Sequence, residues 1–273
     1  YETSGGLHGV GSSVVNALSS RLEVEVARDR TLFTQAYARG KPLTPLHNAG
    51  PVQNRRGTLI RFTPDPEIFG AARFSPARLF RLCRSKAYLH RGVTIRWSCD
   101  PALVTDDTPA EAVLHFPGGL SEFLAASIEG RPTVIAAPWA GEAALPDGAG
   151  RVEWALTWIE DGEGFLNSYA NTIPTPQGGT HETGLRSALV KGLRAYGELR
   201  KERRAAQIIA EDVLGCLAGM LSVFVRDPQF QGQTKDRLTT PDATRLVEAA
   251  LRDPFDHWLA ADPAQAAKLL AFC

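Results

Sequence analysis

A run of glycines near the start of the chain has the composition of a phosphate-binding loop. Residues 4–11 read Ser-Gly-Gly-Leu-His-Gly-Val-Gly, immediately before a segment, 12–20, that can form a short helix. Glycine has no Cβ, so the main-chain N–H groups of such a loop can approach an anion, and the dipole of a following helix adds positive potential. The pattern differs from both the P-loop and the Rossmann fingerprint. From the residues alone, a phosphate cradle and a flexible turn remain alternatives.

Two further groups of polar residues could meet phosphates. Gln233 and Lys235 flank Thr234 in a predicted loop between a strand and a helix. An ammonium can neutralise charge that develops on a phosphate, and an amide can donate one hydrogen bond. The charged run at 200–204, RKERR, is either a solvated helix end or a contact to phosphate backbones.

Histidine and cysteine do not suggest a metal centre. His47, His90, His115 and His257 show no ligand spacing. The four cysteines are scattered without a C-x-x-C pair, which predicts neither a disulfide framework nor a zinc site. At the start of a predicted helix, Thr180 is expected to cap, and His181 and Glu182 are expected to be structural.

Composition places the chain among ordinary globular proteins. It has 273 residues, 44% of them hydrophobic, with thirty Lys and Arg against thirty Asp and Glu. The charge balance argues against a generally basic coat for nucleic acid. No stretch approaches the roughly 20 consecutive apolar residues of a membrane span, which predicts a cytoplasmic protein without a membrane partner. Because the chain opens at Tyr1 without an initiator Met, we expect it to be a fragment.

Apolar periodicity and turn residues divide the chain into elements that could position these groups. Helices are predicted over 12–20, 76–91, 117–128, 183–199, 241–259 and 263–272. Strands are predicted over 22–29, 32–40, 57–65, 93–97, 129–139, 151–160, 165–173 and 221–227, the second and third antiparallel, with loops at 100–115 and 141–150. Because strands and helices do not alternate strictly, we predict an α+β fold with helices on mainly antiparallel sheets. A composition shift near residue 128 predicts two domains, 1–128 and 129–273.

Four separated sequence blocks resemble the B subunits of bacterial type IIA topoisomerases, the family of gyrase B and topoisomerase IV B. The blocks are Gly5-Gly6-Leu7-His8-Gly9-Val10-Gly11 with residues 13–19, Gly57-Thr58 with Arg61-Phe62, Asn171-Thr172-Ile173-Pro174 with Gly178-Gly179-Thr180-His181-Glu182, and Gln233-Thr234-Lys235. Their order and approximate spacing match the family across nearly the whole chain. Segments 64–69 and 252–258 are more similar to topoisomerase IV than to gyrase.

The resemblance implies a fold and a set of nucleotide contacts. Residues 1–128 would be the C-terminal portion of a GHKL-type ATPase sandwich, including its ATP lid, and 129–273 a transducer similar to ribosomal protein S5 domain 2. Thr58 would lie beneath the adenine, and Gln233 and Lys235 would reach the γ-phosphate as the catalytic pair. The residues implied around the triphosphate are Tyr1 and the backbone of Gly6, Leu7, His8, Gly9, Val10 and Gly11. ATP would bind with Mg²⁺, whose ligands are expected upstream of Tyr1.

The resemblance also implies an activity and partners. The parent protein would couple ATP binding and hydrolysis to the passage of one DNA duplex through another, together with a topoisomerase A subunit. ATP would close two B subunits as a homodimer. The general base is expected upstream, so this chain by itself is expected to be inactive, and an ion pair of the family is expected to be missing around residues 211–216. The alternative is a non-catalytic, nucleotide-gated interaction module; a metabolic kinase would not explain the Gln233-Thr234-Lys235 block.

Overall fold

The computed structural model describes residues 9–273, which form two compact units. The first unit comprises residues 9–75 and the second residues 76–273. The domain boundary predicted near residue 128 rests on composition and family resemblance and stays a prediction. Both units combine helices with mostly antiparallel sheets, so the predicted α+β class agrees with the observed elements.

The first unit is one sheet with short helices at its ends. Its elements are α1 (Gly11–Ala17), β1 (Ser19–Arg28), β2 (Thr31–Ala38), β3 (Lys41–Pro42), β4 (His47–Pro51), β5 (Gly57–Pro64) and α2 (Pro66–Phe69).

Strand β1 lies in the middle of this sheet. The order is β3-β2-β1-β5, with β4 also on β2. Val24 of β1 pairs with Gln35 of β2 on one side and with Ile60 of β5 on the other, both antiparallel. Strands β2 and β5 therefore run in the same direction without pairing, and the prediction that they are antiparallel is wrong. A loop between two strands shows only that they follow one another in the chain, and a third strand can still lie between them in the sheet.

The second unit contains a larger sheet, two small strand pairs and the longer helices. Its elements are α3 (Pro76–Leu89), β6 (Ile95–Ser98), β7 (Glu111–Leu114), α4 (Gly119–Ser127), β8 (Trp139–Ala144), β9 (Gly150–Trp158), β10 (Phe165–Ala170), β11 (Ile173–Pro174), α5 (Thr180–Leu199), α6 (Ala210–Leu214), β12 (Leu217–Val225), β13 (Phe230–Gln231), β14 (Arg237–Leu238), α7 (Ala243–Ala261) and α8 (Pro263–Phe272).

The larger sheet, in the order β11-β10-β12-β9-β8, has apolar side chains packed on both faces. All nine residues of β12 are buried. Successive side chains of a strand point to opposite faces. Accordingly Leu221 and Val223 join the core with α5 and α7, whereas Met220 joins the core with α3 and α4. The sheet thus carries a helix pair on each face.

Several elements of the second unit differ from the sequence prediction. Residues 111–114, expected within a polar loop, form β7 by pairing with β6. Segment 129–138, expected as a strand, forms none of the named strands. Strand β8 extends to Ala144, into the stretch 141–150 that is expected from the sequence to be a loop, and Gly141 packs against Trp154 there. Helix α5 begins at Thr180, three residues early, with Gly179 as its N-cap and no side-chain cap. The expected capping by Thr180 is therefore wrong.

Candidate functional site

The described part of the glycine loop is exposed main chain. Gly9 has a φ of +64°, a conformation that glycine adopts without strain, and α1 begins at Gly11. A Cβ placed on Gly9 or Gly11 would meet no described atom within 4 Å. The backbone at these two positions therefore borders open space that a ligand can enter. Tyr1, Gly6, Leu7 and His8 lie outside the described residues.

Thr58 lies at one end of an apolar sheet face. It pairs with Val26, and Val24 pairs with Ile60 in the same register, so these four side chains share one face. Ile60 is 56% exposed and Phe62, further along the face, is 41% exposed. A flat heterocycle could bury this apolar area while the Thr58 hydroxyl offers a hydrogen bond. This arrangement fits the adenine contact that the resemblance implies.

Gln233 and Lys235 lie in the tight connection between β13 and β14. Gly232 and Lys235 both have left-handed backbone, with φ of +69° and +60°. Thr234 donates a hydrogen bond from Oγ1 to Oδ2 of Asp236 at 2.5 Å, which closes the turn. The Nζ of Lys235 lies 5.8 Å from the centre of the Phe230 ring, within the range of a cation–π contact. Gln233 is exposed and Lys235 is half-buried.

Main-chain hydrogen bonds attach this connection to the segment that leads into α5. The Gln177 N–H donates to the Asp236 carbonyl at 3.0 Å, and the Leu238 N–H donates to the Gly178 carbonyl at 3.1 Å. Gly179 has a φ of +146°, and a Cβ there would lie 2.3 Å from the Leu238 carbonyl oxygen. Two sequence blocks that are about fifty residues apart are thereby held in contact, and only glycine fits at their junction.

The turn before this segment is held by two side chains. Asn171 and Thr172 both have left-handed backbone, with φ of 48° and 66°. The Asn171 amide donates to the Val225 carbonyl and accepts from the Val225 N–H, each at 2.9 Å. Lys86 of α3 donates from Nζ to the carbonyl oxygen and the Oγ1 of Thr172. Burial lowers the pKa of Lys86.

His181 at the start of α5 is a buried structural residue. Its Nε2 is 3.1 Å from the Thr175 hydroxyl, which is 2.6 Å from the Ser168 hydroxyl. Burial lowers the pKa of His181 to about 4, so the ring is neutral at physiological pH. Burial raises the pKa of the neighbouring Glu182. The contacts of His181, and the position of Glu182 in the first turn of α5, agree with the structural roles predicted for the two residues.

The candidate residues fall into two groups. Gly9, Val10, Gly11 and Thr58 belong to the first unit, and Gln233 and Lys235 to the second. Sequence reasoning missed the contact of Lys86, since one lysine in a helix gives no signal for a partner 86 residues away. Within residues 9–273, no three His, Cys, Asp or Glu side chains are grouped so that they could hold a metal ion. In the same range no helix is long and apolar enough to cross a membrane.

Comparisons with known proteins identify the group to which the chain is related. The family model described as DNA gyrase B matches residues 119–273. The B subunit of DNA topoisomerase 4 from Caulobacter vibrioides is 54% identical over 277 aligned positions, which cover 100% of this chain and 40% of that protein. The chain thus spans about 40% of the length of the curated relatives it matches.

Solved structures agree with this relationship. The topoisomerase IV ATP-binding domain of Francisella tularensis is 32% identical with a TM-score of 0.78, covering 98% of this chain and 72% of that one. The 43K ATPase domain of Thermus thermophilus gyrase B is 30% identical with a TM-score of 0.77, covering 97% and 70%. The GHKL-type α+β fold that the resemblance implies is therefore confirmed. On the family match and these structures together, the chain belongs to the DNA gyrase B family.

Proposed function

We propose that the chain is part of the ATPase region of a type II DNA topoisomerase of the topoisomerase IV kind. In this proposal, binding and hydrolysis of ATP drive the passage of one DNA duplex through another. The observation that carries it is the 54% identity, across the whole chain, to the B subunit of a topoisomerase 4. The TM-score of 0.78 to an ATP-binding domain of topoisomerase IV supports the same role.

Lys235 and Gln233 are proposed to contact the γ-phosphate. The turn that carries them is fixed by Gly232, by the Thr234–Asp236 hydrogen bond and by the main-chain bonds to Gln177 and Gly178. Because the turn is fixed, the Lys235 ammonium does not have to be ordered when the reaction occurs. A charge that is positioned in advance stabilises the charge developing on the phosphate more effectively. Gln233 is exposed and can donate its amide to a phosphate oxygen.

The remainder of the nucleotide is proposed to bind the first unit. The backbone around Gly9, Val10 and Gly11, with Tyr1, Gly6, Leu7 and His8, would wrap the triphosphate, and Thr58 would lie beneath the adenine. The open space at Gly9 and Gly11 and the apolar face beside Thr58 support this assignment. Mg²⁺ would accompany ATP, but the described residues provide no ligand set for it, so we derive no role for them in holding the metal.

The proposed partners follow from the same relatives. They are duplex DNA, a topoisomerase A subunit and, when ATP is bound, a second B subunit, all in the cytoplasm. The domains proposed are 1–128 for the C-terminal part of the ATPase and 129–273 for the transducer. The non-catalytic module is not favoured, because the matched relatives are topoisomerase subunits.

The test is unlinking of interlocked DNA circles by the full-length gene product mixed with its A-type partner. We expect separation of the circles with ATP and Mg²⁺, and none when ADP replaces ATP. Nucleotide binding to the same preparation is measured in parallel. Binding of ATP without any separation of circles would contradict the proposal and favour the non-catalytic module.

A further inference from the structure

The left-handed backbone of Lys235 differs in origin from that of similar residues. Among residues 9–273, three other lysines and arginines have a positive φ. Arg30 and Arg39 lie in two-residue turns between paired strands, which require it, and Lys201 follows the C-terminus of α5. Lys235 lies instead in the longer connection 232–236 between β13 and β14. Because this conformation costs free energy in a residue that carries a side chain, contacts around Lys235 must hold it there.

The residues on either side of Lys235 are bonded to each other. The Thr234 hydroxyl donates to the Asp236 carboxylate at 2.5 Å, a short distance that is typical of a hydrogen bond to a charged acceptor. Asp236 is half-buried, and its carbonyl oxygen accepts the Gln177 N–H at 3.0 Å. The bond from Thr234 thus ends on a residue that is attached to the segment leading into α5. It closes a ring of atoms that includes the main chain of Lys235.

A second contact locates the side chain of Lys235. Its Nζ lies 5.8 Å from the centre of the Phe230 ring. Phe230 packs against the core formed with α5 and α7, and it pairs with the buried Leu238. A ring held in this way gives the ammonium a defined place on the protein. Both the backbone and the side chain of Lys235 are therefore positioned by their neighbours.

We propose that Thr234 and Asp236 are positioning residues for ATP hydrolysis, and that the hydrogen bond between them holds Lys235 ready for the γ-phosphate. This inference rests on the proposed function, because it acts through the contact proposed for Lys235. Neither Thr234 nor Asp236 needs to touch the nucleotide. A charge that is placed in advance needs no reorganisation during the reaction, and a misplacement of about 1 Å can lower the rate by roughly 10²-fold.

The experiment measures ATP turnover by the full-length gene product with its A-type partner. Thr234→Val removes the hydroxyl and keeps the shape of the side chain, whereas Thr234→Ser keeps the hydroxyl. We expect kcat for ATP to fall by roughly tenfold in Thr234→Val, because one hydrogen bond to a charged group is lost. Thr234→Ser should stay near the wild-type value. Kd for ADP and Tm should change little in both variants, since Thr234 is exposed and ADP has no γ-phosphate.

A double-mutant cycle tests whether Thr234 acts through Lys235. Lys235→Ala alone is expected to lower kcat by roughly 10²-fold. In that background Thr234→Val should cause no further fall, because there is no ammonium left to position. If Thr234→Val lowers kcat by the same factor with and without Lys235, Thr234 acts independently of Lys235 and the inference is overturned.

Thr108→Val is the matched control. The Thr108 side chain hydrogen-bonds the Asp106 carboxylate, which lowers the pKa of Asp106, and the two residues are separated by one residue, as Thr234 and Asp236 are. They lie in the connection between β6 and β7, outside the proposed site. Thr108→Val should leave kcat unchanged.

Three further results would contradict the positioning role. They are wild-type turnover in Thr234→Val, an equal loss in Thr108→Val, and a fall in kcat that is matched by a large fall in Tm. If one of them is found while the wild-type protein unlinks DNA circles and Lys235→Ala is impaired, the positioning role fails and the proposed function stands. If the wild-type protein does not unlink circles with ATP, the proposed function fails and this inference fails with it.

Discussion

The Nζ of Lys86 lies 2.5 Å from the carbonyl oxygen and 2.9 Å from the Oγ1 of Thr172, 86 residues further along the chain. This contact ties helix α3 to the left-handed turn that precedes the Gly178-Gly179 junction. The same turn is bound to the end of β12 through Asn171 and Val225. The loop of Lys235 comes after β12 and the short β13, and its main chain is bonded to Gln177 and Gly178, which follow the same turn. The turn at 171–172 is therefore connected by hydrogen bonds both to α3 and to the strand that leads towards Lys235.

The first prediction concerns the stability that this tie provides. Lys86→Met keeps the length of the side chain but removes both hydrogen bonds, leaving two partly buried acceptors of Thr172 without this donor. We expect the free energy of unfolding to fall by about 1–2 kcal/mol. The measurement is the urea midpoint together with the slope of the transition.

Lys191→Met is the matched control for this prediction. Lys191 donates to Glu248 at 2.5 Å on the surface of α5, where its side chain is 53% exposed. A surface ion pair of this kind contributes about 0–1 kcal/mol. If Lys86→Met lowers the free energy of unfolding no more than Lys191→Met does, the hydrogen bonds from Lys86 to Thr172 contribute no more to stability than a surface ion pair.

The second prediction concerns acid stability and His181. In the folded chain the pKa of His181 is lowered from 6.5 to about 4 by burial. Between these values the unfolded chain binds a proton that the folded chain does not, so stability is present above pH 6.5 and is lost as the pH falls to 4. The loss is on the order of 3 kcal/mol.

His181→Gln provides the comparison, because glutamine does not titrate. Unfolding by urea is followed for both proteins from about pH 7 to about pH 4. We expect the wild-type chain to lose more stability than the variant over this range, although both lose some as other groups titrate. Parallel curves for the two proteins would show that His181 is not held neutral by burial.

Local patterns predicted much of the second unit. Ser75 and Pro76 marked the start of a helix, and α3 begins at Pro76. Leu185, Leu189 and Leu193 recur at intervals of four, and all three are buried in α5. Such patterns reflect contacts between near neighbours in the chain, which the sequence displays directly.

Other features depend on contacts between distant residues and left no local sign. Strand β1 is central because it pairs with both β2 and β5. The sequences of β2 and β5 do not indicate that β1 is the strand with which each of them pairs. Strand β8 forms by pairing with β9, where Gly141 lies opposite Trp154, and its own residues give little strand propensity. The roles proposed for Gln233 and Lys235 rest on family resemblance, since a lysine in a loop does not by itself indicate a ligand.

The third prediction concerns the junction between Gly179 and Leu238. A Cβ at Gly179 would lie 2.3 Å from the Leu238 carbonyl oxygen and would also meet a φ of +146°. We expect Gly179→Ala to lower the free energy of unfolding by at least about 3 kcal/mol, because strain and a main-chain clash combine. The measurement is again the urea transition.

Gly232→Ala separates the clash from the backbone strain. Gly232 has a φ of +69°, but a Cβ there would meet nothing within 4 Å. The strain alone should cost about 1–2 kcal/mol. Equal effects at the two glycines would mean that the close approach of Gly179 to Leu238 is not a constraint on the loop.

The last prediction concerns Lys235 and uses the full-length gene product. If the Lys235 ammonium meets the γ-phosphate, Lys235→Ala should reduce ATP turnover by roughly 10²-fold, the scale of losing one preorganised charge at a reacting centre. Affinity for ADP, which has no γ-phosphate, should change little. The loss of the ring contact to Phe230, at 5.8 Å, should cost about 1 kcal/mol of stability or less. The measurements are kcat for ATP, Kd for ADP and Tm in the same samples.

Two variants decide between a role in catalysis and a role in the loop. Lys201→Ala is the matched control, because Lys201 also has a φ of +60° and lies in an exposed loop, outside the proposed site. It should leave kcat unchanged. Lys235→Arg should restore turnover only in part, since the planar fork of arginine differs in reach and shape from a compact ammonium. Turnover that survives in Lys235→Ala would remove Lys235 from the site. A fall in kcat matched by a large fall in Tm would assign it to the fold, because a residue that acts only on the γ-phosphate lowers turnover without unfolding the loop.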